Sequence, residues 1–217
     1  WGENVHGELG LGDVVLRSSP VQVGALTTWT AVAGGEEHSH AIKSDGTLWS
    51  WGRGDLGQLG LADAANRSSP VQVGALTTWT SVASGDGHFI ALKSDGTLWT
   101  SGNNAVGQLG LGDVTHRSSP VQVGALTTWT VVANGSDHSL ALKSDGTLWA
   151  WGGNASGKLG LGDVVDRSSP VQVGALTTWT AVDGYGHSIA LKSDGTLWMW
   201  GENVHGELGL GDVVLRS

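Results

Sequence analysis

The segment Ser-Ser-Pro-Val-Gln-Val-Gly-Ala-Leu-Thr-Thr-Trp-Thr occurs four times without a change, starting at Ser18, Ser68, Ser118 and Ser168. Repetition this strict confines the chain to an array of like units, each leaning on its neighbours for a core. The units run 1–50, 51–100, 101–150 and 151–199, the fourth losing one residue between Asp183 and Gly186. A remainder, 200–217, repeats Trp1 to Ser18 letter for letter. We read 1–217 as a single repeat array.

Each unit reads as strands. Val21–Val23 follows a proline, a suitable entry to an edge strand. Trp29–Ala33 alternates large and small residues. His38–Lys43 and Thr47–Trp51 flank Ser44-Asp45-Gly46, and Asp-Gly tolerates the positive φ of a tight turn. Trp49 and Trp51 lie two apart and therefore share a strand face. Glycine is 36 of 217 residues, and no stretch keeps a 3.6-residue period, so helices are not expected. Four short antiparallel strands in about 50 residues describe a propeller blade. The fold class is all-β, a propeller of four-stranded blades in four repeats plus an 18-residue remainder.

Composition removes several functions. Without cysteine there is no disulfide, no thiolate zinc site and no cysteine nucleophile. No apolar run approaches 18 residues, which argues against membrane insertion. A net charge of −9 argues against nucleic acid as a partner. No signal peptide is visible, and Trp1 rather than Met stands first, as processing or truncation leaves it; an exported or cell-surface bacterial protein is one setting that fits. No G-x-S-x-G elbow, G-x-G-x-x-G phosphate loop or D-x-D-x-D-G calcium loop is present, so no catalytic residue, cofactor or metal is assigned and an enzyme is not expected.

The run from Val132 through Asp163, V-A-x-G-x-x-H-S-x-A-L-K-S-D-G-T-L-W-x-W-G-x-N-x-x-G-x-L-G-L-G-D, resembles the regulator of chromosome condensation repeat. The resemblance covers essentially the whole chain and implies one propeller blade per unit. Family members usually close with seven blades, so four units imply a partial or open ring. Ser101 stands where the other units have Trp, and Ala62 where they have Gly. The family includes a β-lactamase inhibitory propeller, which binds across one face, and a plant ultraviolet-B photoreceptor. The photoreceptor's G-W-R-H-T motif has no counterpart in Gly35-Glu36-Glu37-His38 or its copies, so that function is not carried over. The nucleotide-exchange activity of the founding member rests on basic surfaces and insertions that this chain lacks.

The copies vary mainly at residues 3–6, 8, 14–16 and 34–37 and their equivalents. If the strand ending near Ala33 runs toward a face X, strand alternation places loops 34–37 and 53–58 on X. The invariant turn Ser44-Asp45-Gly46 and the linker 74–78 then fall on the opposite face Y. The recurring frame carries nine acids and nine bases, so the variable positions, with eleven acids and two bases, hold the whole net charge. A constant frame with changeable loops on one rim is how binding proteins retarget without refolding. The candidate partner-binding residues are Glu3, Glu36, Glu37, Arg53, Asp55, Asp86, Asn103, Asn134, Asp137, Asp183 and Tyr185. His38, His88, His138 and His187 recur with constant flanks and are read as structural, as are Trp49, Trp99, Trp149 and Trp198. His6, His40, His116 and His205 are read as rim or non-periodic residues. Binding of a protein partner through the acidic face is the leading reading. Carbohydrate stacking on exposed indoles and a purely structural or designed repeat segment are the alternatives. The duplicated ends would compete for one place in a ring of four, so an open arc with exposed apolar end blades, prone to self-association, is expected.

Overall fold

The computed structural model describes residues 1–217 and contains only β-structure. The first blade is β1 (Trp29–Gly34), β2 (His38–Lys43), β3 (Leu48–Gly52) and β4 (Arg67–Gln72). The second is β5 (Trp79–Ser84), β6 (His88–Lys93), β7 (Leu98–Gly102) and β8 (Arg117–Gln122). The third is β9 (Trp129–Asn134), β10 (His138–Lys143), β11 (Leu148–Gly152) and β12 (Arg167–Gln172). The last holds only β13 (Trp179–Gly184), β14 (His187–Lys192) and β15 (Leu197–Gly201). All are antiparallel meanders. A blade thus begins inside one sequence unit and takes its fourth strand from the next. The strand expected at Val21–Val23 is a correction: its equivalents form earlier, at Arg67–Gln72 and its copies. In the first unit only Arg17 is paired, in a bridge to Gly2.

The first strand of each blade is innermost, with β1 packing on β5, β5 on β9 and β9 on β13. Side chains from two adjacent blades share each core. Ile42 and Leu48 of the first blade meet Trp79, Val82 and Ala91 of the second, and Leu92 and Leu98 meet Trp129 and Ala141 of the third. Burying such apolar side chains supplies most of the driving force, about 1.5–3 kcal/mol for each large one. The arc is open. Leu197 is 61% exposed where Leu48, Leu98 and Leu148 are fully buried, and Val32 is 78% exposed where Val82 is buried.

A variable loop seals the top of each junction. Residues 3–12 lie against the first blade, where Trp51 Nε1 and Ser39 Oγ both donate to the Glu8 carbonyl at 2.7 and 2.9 Å. The third blade repeats this with Trp151, Ser139 and the Gln108 carbonyl, and the last with Trp200, Ser188 and the Lys158 carbonyl. The second blade differs. Ser101 replaces the indole, but its cross-strand neighbour is Phe89 where the other blades have serine. Phe89 is fully buried and abuts Gly60, just as Trp51 abuts Gly10 and Trp151 abuts Gly110. Large and small have exchanged places across the strand pair, so the seat stays filled.

Candidate binding face

Loops 34–37, 84–87, 134–137 and 183–186 follow the four innermost strands and converge at the centre of the arc. They enclose an open depression of about 490 Å³ lined by Glu36, Asp86, Asn134, Asp183 and Tyr185, among glycines and Ser84. Backbone bonds run from loop to loop, Asp86 N to Ser136 O and Ser136 N to Tyr185 O, each at 3.0 Å. A glycine recurs in these otherwise variable loops for a steric reason. A Cβ on Gly35 would stand 2.2 Å from the His38 ring and 2.6 Å from the Gly85 carbonyl.

The charges divide into two classes. Arg53 bridges Glu37 and Asp55, and Lys158 is bonded to Asp137. These contacts put loops 34–37 and 53–58, and their copies, on one face. The invariant turn lies at the other end of the strands, where Ser44 N donates to Thr28 O and Trp79 N to Gly46 O. Burial pushes the Asp137 carboxyl up, but the His138 ring nitrogen 3.9 Å away and the bonded Lys158 ammonium outweigh it and hold it below the ordinary carboxylate range. Those five charges are largely spent inside the protein. Glu36, Asp86 and Asp183 have no basic partner. Burial, then the neighbouring Glu36 and Asp137 charges, raise the Asp86 pKa. Tyr185 stands 67% exposed beside them. Glu3 is exposed on the first loop and does not line this depression, and Asn103 is held in its own loop, accepting a local bond from Ala105 N at 3.0 Å.

The histidines sit between blades. His88 Nε2 meets Ser139 Oγ at 3.0 Å, and His138 Nε2 meets Ser188 Oγ at 2.9 Å, each hydroxyl belonging to the next blade. His38 is equally buried, but neither ring nitrogen has a partner, because the next blade offers Phe89 in place of the serine. The rings of His88 and His138 each have one bonded nitrogen, and that of His38 has none. His187 is half-exposed, with no further blade to cover it. Burial lowers the pKa of His38 to about 4 and of His88 to about 3. His40 is corrected from a rim residue to a buried one. Its Nδ1 lies 2.9 Å from Ser84 Oγ and its ring 4.4 Å from Phe89. The missed signal was available, since its equivalents Ile90, Leu140 and Ile189 are all apolar.

Trp49, Trp99 and Trp149 are half-buried and Trp198 is 48% exposed, each edge-on to the first tryptophan of its blade. They flank grooves of about 430, 390 and 540 Å³ in the first three blades. A lysine ammonium lies over each of the four indoles, 3.4–3.5 Å from the ring centre. A stacked sugar would need the ring face that this cation–π contact holds.

Two family models, both described as the regulator of chromosome condensation (RCC1) repeat, match the chain. One covers residues 1–42, 45–92, 95–142 and 145–191, and the other covers 29–58, 79–108, 130–158 and 181–207. No curated protein matches. Among solved structures, human WBSCR16 is 25% identical with a TM-score of 0.85, over 98% of this chain and 59% of that one. Prp20p from Saccharomyces cerevisiae, described with its binding to Gsp1p and histones, is 24% identical with a TM-score of 0.83, over 94% of this chain and 52% of its own. Yeast RCC1 (Prp20) bound to Kap60 is 23% identical with a TM-score of 0.81, over 99% and 55%. The chain therefore spans between half and three-fifths of these structures. With its repeats matched from end to end, the chain belongs to the regulator of chromosome condensation (RCC1) repeat family.

Proposed function

We propose that this chain is a non-catalytic scaffold that binds a basic protein segment on its acidic face, at the depression between the four central loops. One observation carries the reading: Glu36, Asp86 and Asp183 come from three different blades, converge on one depression and have no internal base to neutralise them. Drift at exposed loop positions would scatter such charges rather than gather them. Tyr185 adds a rigid amphipathic contact of the kind enriched where partners dock. Prp20p, which shares the fold, is described as binding histones and Gsp1p, so protein recognition has precedent on this architecture.

Titration calorimetry with a lysine- and arginine-rich peptide tests this. The expected result is salt-sensitive binding that falls at least tenfold in a Glu36→Gln/Asp86→Asn/Asp183→Asn variant, with Glu3→Gln unchanged. Equal binding by the triple variant would remove this reading.

A further inference from the structure

In every blade a lysine ammonium rests on an indole, and in the two interior grooves it has no acceptor to go with it. Lys158 is bonded to Asp137, but Nζ of Lys93 and of Lys143 forms neither an ion pair nor a hydrogen bond within the chain. Lys93 is nevertheless only 8% exposed. Its Nζ lies 3.4 Å from the centre of the Trp99 ring and 4.9 Å from that of Trp79. Lys143 repeats this over Trp149 at 3.5 Å and Trp129 at 4.9 Å. An indole face takes one side of an ammonium and leaves its other N–H donors without an acceptor. The carboxylates that bear on these lysines, Asp95 and Asp145, are turned to their own hairpins, each accepting from the amide and hydroxyl of Thr97 or Thr147. Burial lowers both lysine pKa values, and those two charges offset it only in part.

Beside each ammonium lies an apolar groove. The one at Lys143, of about 540 Å³, opens between the outer strands of the second and third blades. Val123 and Trp129 close its buried side, and Leu111, Val121, Leu126 and Trp149 line the rest. Arg117 borders it too, but its guanidinium is spent on Asp113 and the Thr115 carbonyl, each at 2.6 Å. The groove at Trp79 and Trp99, of about 390 Å³, is built the same way from Leu61, Val71, Val73 and Leu76. Both volumes fall among those of small-ligand pockets, about 300–1,000 Å³. Neither groove shares a residue with the central depression.

We propose that each of these two grooves binds a small amphiphilic carboxylate, its hydrocarbon or aryl body against the apolar walls and its carboxylate on the lysine ammonium. The unpaired charge at the groove is cationic, so the ligand is an anion. The ammonium keeps its indole, because the carboxylate approaches from the groove and accepts the N–H groups that point away from the ring. A charge-assisted contact of this kind is about twice as strong as a neutral hydrogen bond. The walls decide the rest. An inorganic anion would give up its hydration for a single charged contact among apolar side chains. A sugar would need the indole face that the lysine already holds.

Heteronuclear NMR of the indole N–H groups, with octanoate as the probe, tests the site. Trp149 Nε1 and Trp99 Nε1 are fixed reporters, donating to Thr147 Oγ1 and Thr97 Oγ1 at 2.9 and 2.8 Å. Octanoate should shift both signals in a saturable way, and octanamide, its neutral analogue, should bind weaker by about tenfold or more. Lys143→Met should weaken the Trp149 response by about tenfold or more and leave that of Trp99. The surviving Trp99 response shows in the same spectrum that the chain is folded and that the grooves act separately. Lys143→Arg, which keeps the charge, should retain the Trp149 response. The proposal is overturned if octanoate moves neither signal, if octanamide binds as well, or if Lys143→Met responds fully at Trp149. It is also overturned if an acidic leucine-rich peptide moves the two signals and octanoate does not, since the grooves would then take a protein segment.

Discussion

The junction between the first and second blades and the junction between the second and third share a frame but not a chemistry. In the latter, His88 meets the Ser139 hydroxyl, and Ser139 in turn donates to the loop carbonyl of Gln108. In the former, Phe89 takes the serine's place, His38 loses its partner, and His40 packs on the new ring. A polar relay has been replaced by an aromatic wedge. Within the second blade the wedge works because Ser101 vacated the indole's volume. What such a repeat holds constant is the filled seat, and the residue that fills it is free to move across the strand pair.

The sharpest way to break this comparison is to convert one junction into the other. Phe89→Ser alone empties a fully buried seat and should cost about 3–5 kcal/mol. Ser101→Trp alone should overpack the seat against Phe89 and cost about 1–3 kcal/mol. Together they recreate the serine and indole of the third blade and give His38 a hydroxyl. The double variant should therefore regain most of the lost stability, with a coupling of several kcal/mol measured by denaturant unfolding. Additive losses would show that the two positions do not share a seat.

A second comparison sets the interior against the end of the arc. Leu148→Ala removes a fully buried side chain and should cost about 2–5 kcal/mol. Leu197→Ala, at the equivalent position but 61% exposed, should stay within about 0.5 kcal/mol in the monomer. Similar melting shifts for the two would mean that the last blade is covered.

The strand plan was legible because alternation and Asp-Gly turns are local signals. His38–Lys43 forms as read, and Thr47–Trp51 is displaced by a single residue. The gathering of Glu36, Asp86 and Asp183 was legible in outline, since strand alternation alone sends their loops to one face. The pairing of charges was not. Nothing local says that Lys158 reaches Asp137 of a preceding loop, or that Arg53 neutralises Glu37. Ser101 read as a lost tryptophan because its compensation, Phe89, lies across the hairpin, and position-by-position alignment treats the two changes as independent. His40 was misplaced for a related reason. Its polarity suggested the rim, while the apolar residues at its equivalents carried the truth.

The interblade histidines sharpen the comparison through pH. Burial lowers the pKa of His38, His40, His88 and His138, to about 4 for His38 and about 3 for His88. In the unfolded chain each would take up a proton below its ordinary value near 6.5. Below that pH the unfolded state binds more protons, so stability is complete above about 6.5 and is lost as pH falls toward 4. Each such group contributes a slope of about 1.4 kcal/mol per pH unit. His40→Leu, which installs the residue found at Leu140, should reduce the measured slope by one group's share. An unchanged slope would mean that His40 already titrates normally in the folded protein.

The smallest expected effect lies at Ala62, the one residue other than glycine with a positive φ, at 67°. Gly12, Gly112 and Gly162 hold the same place with φ of 84°, 83° and 78°. The position keeps this conformation because its amide donates across the blade boundary, Ala62 N to Ser118 O at 2.7 Å and Gly112 N to Ser168 O at 2.7 Å. An L-residue held there costs about 1–2 kcal/mol, since Cβ crowds the adjoining carbonyl. Glycine relieves that strain but has more backbone freedom to lose on folding, about 0.5–1 kcal/mol. Space does not enter the balance, because a Cβ on Gly162 would meet nothing within 4 Å and one on Gly12 only Ser69 Oγ at 3.6 Å. Ala62→Gly should therefore stabilise the protein by about 0.5–1 kcal/mol, the difference between these terms. Gly112→Ala should destabilise it by a similar amount. If both changes destabilised the protein, the loop between β3 and β4 would hold its alanine without strain, and its equivalence to the loop that carries Gly112 would fail at that residue.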